Sequence, residues 1–387
     1  MKDAHAENTA APRHAIRRVL RRQDPGRFVF APNYWQWFTH AADHGDLPPE
    51  IAHCQSQLDL IRHLGLDVFS RNVYCDPTTR WFGGLSEERI IGVRAETRRH
   101  KVADDHVIEK IYHANSGQAT ERLKYFFNES TLVQEKYLLG ENDIPAFDEI
   151  VRARRWEFDP ALFRRWHDEI GNNGVLVAGE LFSPLKMLHL AAGAAQAVYL
   201  LEDHPEQCAE WMACHEAAQL DLLRQMLEAG VEVVMSMDNL DAAFHPPAYV
   251  ERCSASFYEK ASRMCHERGA AFFIHACGRQ RALLPLIASL GVDGLEGVAY
   301  PPLGDVALEE AMRLSGDRLI ITGGISAEET EHFNRPEQVR EYLARLLAQL
   351  RPHRHRFMLS ASCNTSIRTP WRVIEWFRDA WAHLNQQ

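Results

Sequence analysis

Short runs of β-branched and other apolar residues alternate with helix-like stretches through the second half of this chain. The apolar runs lie at 175–180, 231–238, 271–277, 292–298, 319–324 and 357–362. Strands that are apolar throughout and separated by helices are typical of a parallel sheet covered on both faces. The pattern therefore predicts an α/β fold.

Two earlier runs, at 27–31 and 67–74, bring the number of predicted strands to eight. Eight strands that alternate with helices favour a closed (β/α)8 TIM barrel, which we expect to occupy 1–387 as a single domain. A doubly wound sheet is the main alternative. No predicted strand, however, is followed by the Gly-x-Gly-x-x-Gly loop of dinucleotide-binding sheets.

The region 76–159 interrupts this alternation. Its runs at 106–113 and 118–127 predict a hairpin across Asn115-Ser-Gly117, where Asn and Gly suit a tight turn, and 141–155 predicts a helix. The region has too few apolar residues for a core of its own. We therefore expect an insertion that forms a lid over one mouth of the barrel.

Charge and composition narrow the classes of partner. The chain carries 43 basic and 53 acidic residues, a formal net charge of −10, which disfavours nucleic-acid binding. Residues 1–25 are rich in Arg without the apolar stretch of a secretory signal, and the nearly apolar run 190–201 is too short to span a bilayer. We expect a cytoplasmic protein that binds neither nucleic acid nor membrane.

The most distinctive chemical pattern is His275-Ala-Cys277 at the end of one predicted strand, with Cys363 at the end of another. In a strand, residues i and i+2 point to the same side, and all strands of a barrel end at one face. One His and two Cys with a vacant fourth position describe a catalytic zinc site. The same residues also suit ordinary packing of buried cysteines around a hydrogen-bonded imidazole, and spacing alone leaves both interpretations open.

Several segments resemble the uroporphyrinogen decarboxylase superfamily. They include His275-Ala-Cys277-Gly278, Gly291-Val-Asp293-Gly-Leu-Glu296, Gly323-Gly324-Ile325, Tyr300-Pro-Pro302 and, nearer the N-terminus, Asp24-Pro-Gly-Arg27, Gly45-Asp-Leu-Pro48 and Leu64-Gly-Leu-Asp67. The resemblance covers most of the chain. It implies a (β/α)8 barrel, in agreement with the eight predicted strands.

The decarboxylases of that superfamily carry an Arg-rich N-terminal motif that grips the carboxylates of a tetrapyrrole. Here the corresponding region contains Tyr34, Trp35, Trp37 and Phe38. Such rings suit an aromatic or apolar substrate rather than a polyanion, so we predict that they bind and close over the substrate. Packing of a barrel lid is the alternative for these four rings.

The other arm of the superfamily comprises corrinoid-linked and thiol-linked methyltransferases, whose zinc-dependent members use His-x-Cys and a distant Cys. The resemblance therefore implies that His275, Cys277 and Cys363 bind zinc. It also implies transfer of a methyl group between a small O- or S-methyl compound, such as an aryl methyl ether, and a corrinoid (cobalamin). Because the chain has no Asp-x-His-x-x-Gly motif, we expect a separate protein to carry the corrinoid.

Three carboxylates end predicted strands and are candidate catalytic residues or fourth zinc ligands: Glu180, Asp238 and Glu296. Glu180 is favoured, because its neighbours resemble a site-lining segment of the family. The alternative function is a metal-free decarboxylase or lyase that acts on a small carboxylated substrate. In that mechanism Asp238 or Glu296 donates a proton, and Arg71 or Arg279 holds the carboxylate.

Overall fold

A computed structural model of the protein describes residues 11–73, 84–140 and 142–385. Its strands are β1 Val29–Phe30, β2 Val68–Ser70, β3 Ser86–Ile90, β4 Arg94–Val102, β5 Asp105–Ala114, β6 Gly117–Phe126, β7 Thr131–Lys136, β8 Arg154–Phe158, β9 Gly174–Leu181, β10 Val233–Leu240, β11 Ala271–Ala276, β12 Gly294–Val298, β13 Ile320–Ile325 and β14 Phe357–Ala361.

The α-helices are α1 Pro12–Leu20, α2 Trp35–His44, α3 Gln57–His63, α4 Ile144–Ala153, α5 Pro160–Ile170, α6 Pro184–Ala192, α7 Ala194–Asp203, α8 Pro205–Glu228, α9 Pro247–Cys253, α10 Ala255–Glu267, α11 Leu284–Ser289, α12 Leu308–Leu314, α13 Ala327–His332, α14 Pro336–Leu350 and α15 Trp371–Leu384. Short 3-10 turns cover Pro49–Ile51, Gly171–Asn173 and Arg351–Arg356. Within the described ranges, no helix combines the length and apolar character needed to cross a bilayer.

Eight parallel strands form the central sheet in the order β1-β14-β13-β12-β11-β10-β9-β2. The two ends of this order meet, because the Asp67 N–H donates to the Phe30 carbonyl oxygen at 3.0 Å. The (β/α)8 barrel is thereby confirmed, and all eight predicted strands are present. The first two are shorter than predicted, and Tyr74 lies outside the described residues.

The interior of the barrel is packed at its N-terminal end. Strand residues such as Val177, Met235 and Phe273 form one buried cluster with Ile16 and Val19 of α1. Because α1 covers this end, the C-terminal ends of the strands are left for a functional site, as is usual for the fold.

The predicted hairpin is present as β5 and β6, which pair up to Ala114 opposite Gly117. The insertion holds more structure than the sequence indicated: β4 to β7 form a four-stranded antiparallel sheet, and β3 pairs with β8. The predicted helix is α4. Its Phe147 packs edge-on against Trp211 of α8, with ring centroids 4.9 Å apart. The insertion thus shares its core with the barrel helices, as its small apolar content requires.

Candidate active site

Strand register brings His275 and Glu296 together. The two residues are paired across the parallel strands β11 and β12, so their side chains are neighbours on the same face. The backbone also approaches closely here. A Cβ on Gly297 would lie 2.6 Å from the Ala276 carbonyl oxygen and 2.8 Å from that of Ser362. Glycine at this position therefore lets the segment after β14, with Cys363, come close to His275.

Glu296 orients the imidazole. Its carboxylate accepts a short hydrogen bond from His275 Nδ1–H and a second from Arg71 Nε at 3.2 Å. Burial acts to raise the pKa of Glu296, but Arg71 and His275 outweigh it and lower that pKa to about 2. Burial and Arg71 act to lower the pKa of His275, but Glu296 and Cys363 together outweigh them, so the pKa of His275 rises. Nδ1 therefore carries the proton, and Nε2 faces Cys363.

The two thiols lie on the other side of the imidazole. Cys363 Sγ is 3.6 Å from His275 Nε2, and the sulfurs of Cys277 and Cys363 are hydrogen-bonded to each other. The hydrogen bond from Cys363 lowers the pKa of Cys277, whereas the same hydrogen bond, together with burial, raises the pKa of Cys363. Cys277 is thus the thiol that ionises first, with Cys363 as its donor.

This donor set fits zinc in type and partly in geometry. Zinc bonds of about 2.0 Å to nitrogen and about 2.3 Å to sulfur separate two tetrahedral ligands by about 3.5 Å. The 3.6 Å between His275 Nε2 and Cys363 Sγ matches that spacing. As the side chains stand, no three His, Cys, Asp or Glu residues of the described ranges converge in metal-binding geometry. His275 and Cys363 therefore have the spacing of two zinc ligands, but Cys277 does not complete a three-ligand group as the side chains stand.

The other two candidate carboxylates have different partners. Glu180 accepts hydrogen bonds from the Leu85 N–H at 3.1 Å and from the Ser86 hydroxyl, and so anchors the start of the insertion. Asp238 accepts from the Ser183 N–H at 2.9 Å and from the Tyr258 hydroxyl. Of the three carboxylates proposed from the sequence, only Glu296 reaches the imidazole.

The aromatic cluster lies at the expected end of the barrel but points into the core. Its helix α2 follows Asn33, whose side-chain amide donates to the Cys363 carbonyl oxygen at 3.2 Å. All four rings are only 3–5% exposed. Trp37 donates to the Thr369 carbonyl oxygen at 2.9 Å and stacks on Trp371 with centroids 5.9 Å apart. The four residues belong to the described part of the chain, and none of them lines the cavity beside His275. Their contact with substrate thus remains a prediction.

A cavity of 480 Å³ opens beside His275 and Cys363. Barrel elements and the insertion both line it, and the apolar part of the wall includes Leu123, Leu132, Leu138, Trp156, Phe182, Met187 and Leu190. The turn at Asn115 is not part of this wall, because the N–H groups of Asn115 and Ser116 donate to Glu149 of α4 at 2.9 and 2.7 Å. The strands of the hairpin, rather than its turn, face the cavity.

The sequence analysis missed a set of charged residues on the wall formed by the insertion. Lys110 lies 3.8 Å from Glu88 and 3.4 Å from Glu121, and Arg154 Nε lies 2.9 Å from Glu88. The four charges line the same cavity. They alternate in sign across neighbouring strands, so each cation lies against a carboxylate. No sequence motif marks these residues, because strand pairing within two small sheets and the approach of those sheets to each other assemble them.

Comparison with known proteins identifies the family to which the chain belongs. No curated protein matches it. A solved methyltransferase from Methanosarcina mazei has the same fold, with a TM-score of 0.59 at 12% identity over 97% of this chain and 99% of that chain. A B12-independent methionine synthase from Shewanella sp. W3-18-1, solved with selenomethionine, gives a TM-score of 0.46 at 12% identity over 93% and 96% of the two chains. The family model "Uroporphyrinogen decarboxylase (URO-D)" matches residues 135–384. Because this match spans more than half of the chain, the protein belongs to the uroporphyrinogen decarboxylase family.

Proposed function

We propose that this protein is a zinc-dependent methyltransferase. It would move a methyl group between a small O- or S-methyl compound, such as an aryl methyl ether, and a corrinoid held by a separate protein. The observation that carries this proposal is the 3.6 Å approach of His275 Nε2 and Cys363 Sγ beside the 480 Å³ cavity, with Cys277 two residues after His275.

His275, Cys277 and Cys363 would hold the metal. A bound zinc ion would stabilise the negative charge on the oxygen or sulfur that loses the methyl group. Glu296 keeps the proton on Nδ1 and so leaves the Nε2 lone pair available, as carboxylates behind metal-binding histidines do. Arg71 compensates the Glu296 charge, which allows the carboxylate to stay ionised while buried.

The cavity suits a small, largely apolar substrate. Its 480 Å³ lies within the range of about 300–1,000 Å³ that is usual for small-molecule sites. Leucine and aromatic side chains supply most of the neutral wall and would exclude water from the reacting atoms. The charged residues of the insertion form part of the same lining, where Lys110 is paired with Glu121 and Arg154 with Glu88.

The metal-free decarboxylase is supported less well by the same residues. Glu296, with a pKa of about 2, stays ionised at neutral pH and cannot serve as a proton donor there. Asp238 is fully buried and bonded to Ser183 and Tyr258. Of the two candidate arginines, Arg71 is committed to Glu296 and Arg279 is exposed.

The first test is the metal content of protein purified without chelators. We expect about one zinc per chain, since one His and two Cys suit a single ion. Cys277→Ser should lose most of it, because a hydroxyl replaces the thiolate. Cys214→Ser, at a half-exposed cysteine on α8, is the matched control and should keep it. Full zinc occupancy in Cys277→Ser would contradict the assignment.

The second test is the reaction. Reduced corrinoid is supplied together with a panel of aryl methyl ethers and methyl thioethers, and formation of methylcobalamin is followed by its absorbance. We expect methyl transfer that stops when zinc is removed and returns when zinc is restored. Release of carbon dioxide from a carboxylated substrate, at a rate that metal removal leaves unchanged, would favour the decarboxylase instead.

A further inference from the structure

One cation of the cavity wall has no ion-pair partner among the described residues. Lys186 lies in the first turn of α6 and lines the cavity together with His275 and Cys363. The other cations of that wall are paired: Lys110 with Glu121 at 3.4 Å, Arg154 with Glu88 at 2.9 Å, and Arg71 with Glu296 at 3.2 Å. Within the described ranges, no carboxylate oxygen lies within 4.0 Å of Lys186, since no such ion pair is found for it.

The groups that surround Lys186 form no ion pair with it within the described ranges. Burial, with a contribution from the charge of Lys186, lowers the pKa values of His189 and His245 to about 4 and about 3, so both are neutral at neutral pH. Burial lowers the pKa of Lys186, whereas the charges of Asp238 and Cys277 raise it. Asp238 acts from beyond ion-pair distance, and its carboxylate accepts hydrogen bonds from Ser183, Ser236 and Tyr258 instead.

Lys186 is half-buried, and a cation in that position without an ion-pair partner is costly, because part of its hydration is lost and not replaced. Proteins keep such groups where a ligand supplies the opposite charge, and function is often retained at the expense of stability. We propose that Lys186 binds a carboxylate of the substrate, so that the methyl compound is a carboxylate-bearing ether or thioether. This inference rests on the proposed function, which makes the cavity a substrate site.

A single carboxylate fits the cavity better than a phosphate does. One ammonium group is unpaired among the described cavity residues, and the wall also contains Glu88 and Glu121. A doubly charged phosphate would lie near those carboxylates with only one free cation to compensate it. The leucines that line the same cavity would hold an apolar body, such as an aromatic ring.

Binding of paired ligands to the full chain tests this inference without requiring turnover. Calorimetry compares ortho-, meta- and para-methoxybenzoate with the corresponding methoxybenzamides, which have nearly the same shape but no charge. The wild-type protein should bind at least one benzoate about tenfold or more tightly than its amide, the scale expected of a charge-assisted hydrogen bond. Lys186→Met should abolish this preference, whereas Lys186→Arg should retain most of it.

Lys110→Met is the matched control, because it removes a cation from the same cavity that is already paired. It should leave the preference for the benzoate intact. Lys186→Met should also raise the melting temperature of the ligand-free protein, since methionine removes the half-buried, unpaired charge and keeps the volume. Absence of a preference in the wild-type protein, or its persistence in Lys186→Met, would overturn the inference.

The outcomes also separate this inference from the proposed function. Charge-dependent binding without any methylcobalamin formation would leave the Lys186 site standing and refute the methyltransferase. Methyl transfer from a methoxybenzoate with a kcat/KM that Lys186→Met leaves unchanged would refute the site and leave the methyltransferase standing.

Discussion

Glu296→Gln should weaken both the fold and zinc binding, because the carboxylate serves two buried groups. Its side chain is 9% exposed and that of Arg71 is 5% exposed. Lowering the pKa of Glu296 from 4.5 to about 2 corresponds to about 3 kcal/mol at neutral pH, at about 1.4 kcal/mol per tenfold change in the proton equilibrium. Independently of the pKa, removing one partner of a buried ion pair typically costs about 3–5 kcal/mol of stability. The two values agree, so we expect a loss of about 3 kcal/mol in the free energy of unfolding.

Zinc affinity should fall as well. Glutamine still accepts the hydrogen bond from His275 Nδ1 but lacks the charge that holds the imidazole and raises its basicity. Loss of such an outer partner typically lowers metal affinity about 10–100-fold. The measurement is competition for zinc with a chelating dye, combined with urea unfolding followed by circular dichroism.

Asp238→Asn is the matched control for this experiment. Asp238 is also a buried carboxylate at the end of a barrel strand, but it bonds to Ser183 and Tyr258 rather than to His275. This variant should keep its zinc affinity. The reasoning would be refuted by a Glu296→Gln protein that binds zinc as tightly as the wild type, or by an Asp238→Asn protein that loses as much zinc affinity as Glu296→Gln.

Three further predictions follow from the same contacts. Folding lowers the pKa of Glu296 to about 2, so the stabilisation by its carboxylate is present above the unfolded pKa and is lost as the pH falls. The difference in the free energy of unfolding between wild type and Glu296→Gln should therefore shrink from about 3 kcal/mol at pH 7 to about 1 kcal/mol at pH 3, measured by urea unfolding. Glu180→Gln should lower the free energy of unfolding by about 1–3 kcal/mol and speed proteolysis of the insertion, because it weakens the hydrogen bonds to Leu85 and Ser86. Its zinc content, measured by metal analysis, should be unchanged. Trp37→Leu should cost about 2–4 kcal/mol in thermal unfolding, since it removes the stacking on Trp371 and the hydrogen bond to Thr369. Its affinity for benzoate, measured by calorimetry, should stay within about twofold of the wild type, because Trp37 does not line the cavity. A benzoate Kd that rises in step with the loss of stability would instead support the predicted substrate contact.

The barrel strands were predictable because each is buried on both faces. A strand such as β9, in which every residue is buried, must be apolar along its whole length, and that run is visible without any tertiary information. The prediction that His275 and Cys277 share a side has a related basis. The two-residue period of a strand is a local property, and only the meeting with Cys363 required the barrel to close.

Other parts of the fold carried no local signal. β4 is almost entirely exposed and rich in charged residues, as suits the edge of a sheet, so it has no alternation of polar and apolar positions. Its pairing with β5 depends on the neighbouring strand rather than on its own sequence. The sequence therefore predicted one hairpin where the structure has a four-stranded sheet.

The candidate site shows the same division. The sequence by itself determined which residue types stand at the ends of the strands, and so supplied His275, both cysteines and three carboxylates, among which it favoured Glu180. Only the tertiary structure chose among the carboxylates, since the register of β11 against β12 places Glu296 beside the imidazole. It also directed the α2 aromatic rings into the core and left Lys186 on the cavity wall. The physical reason is that side-chain direction within a strand is local, whereas the charge, ring or cavity that a side chain meets belongs to another segment of the chain.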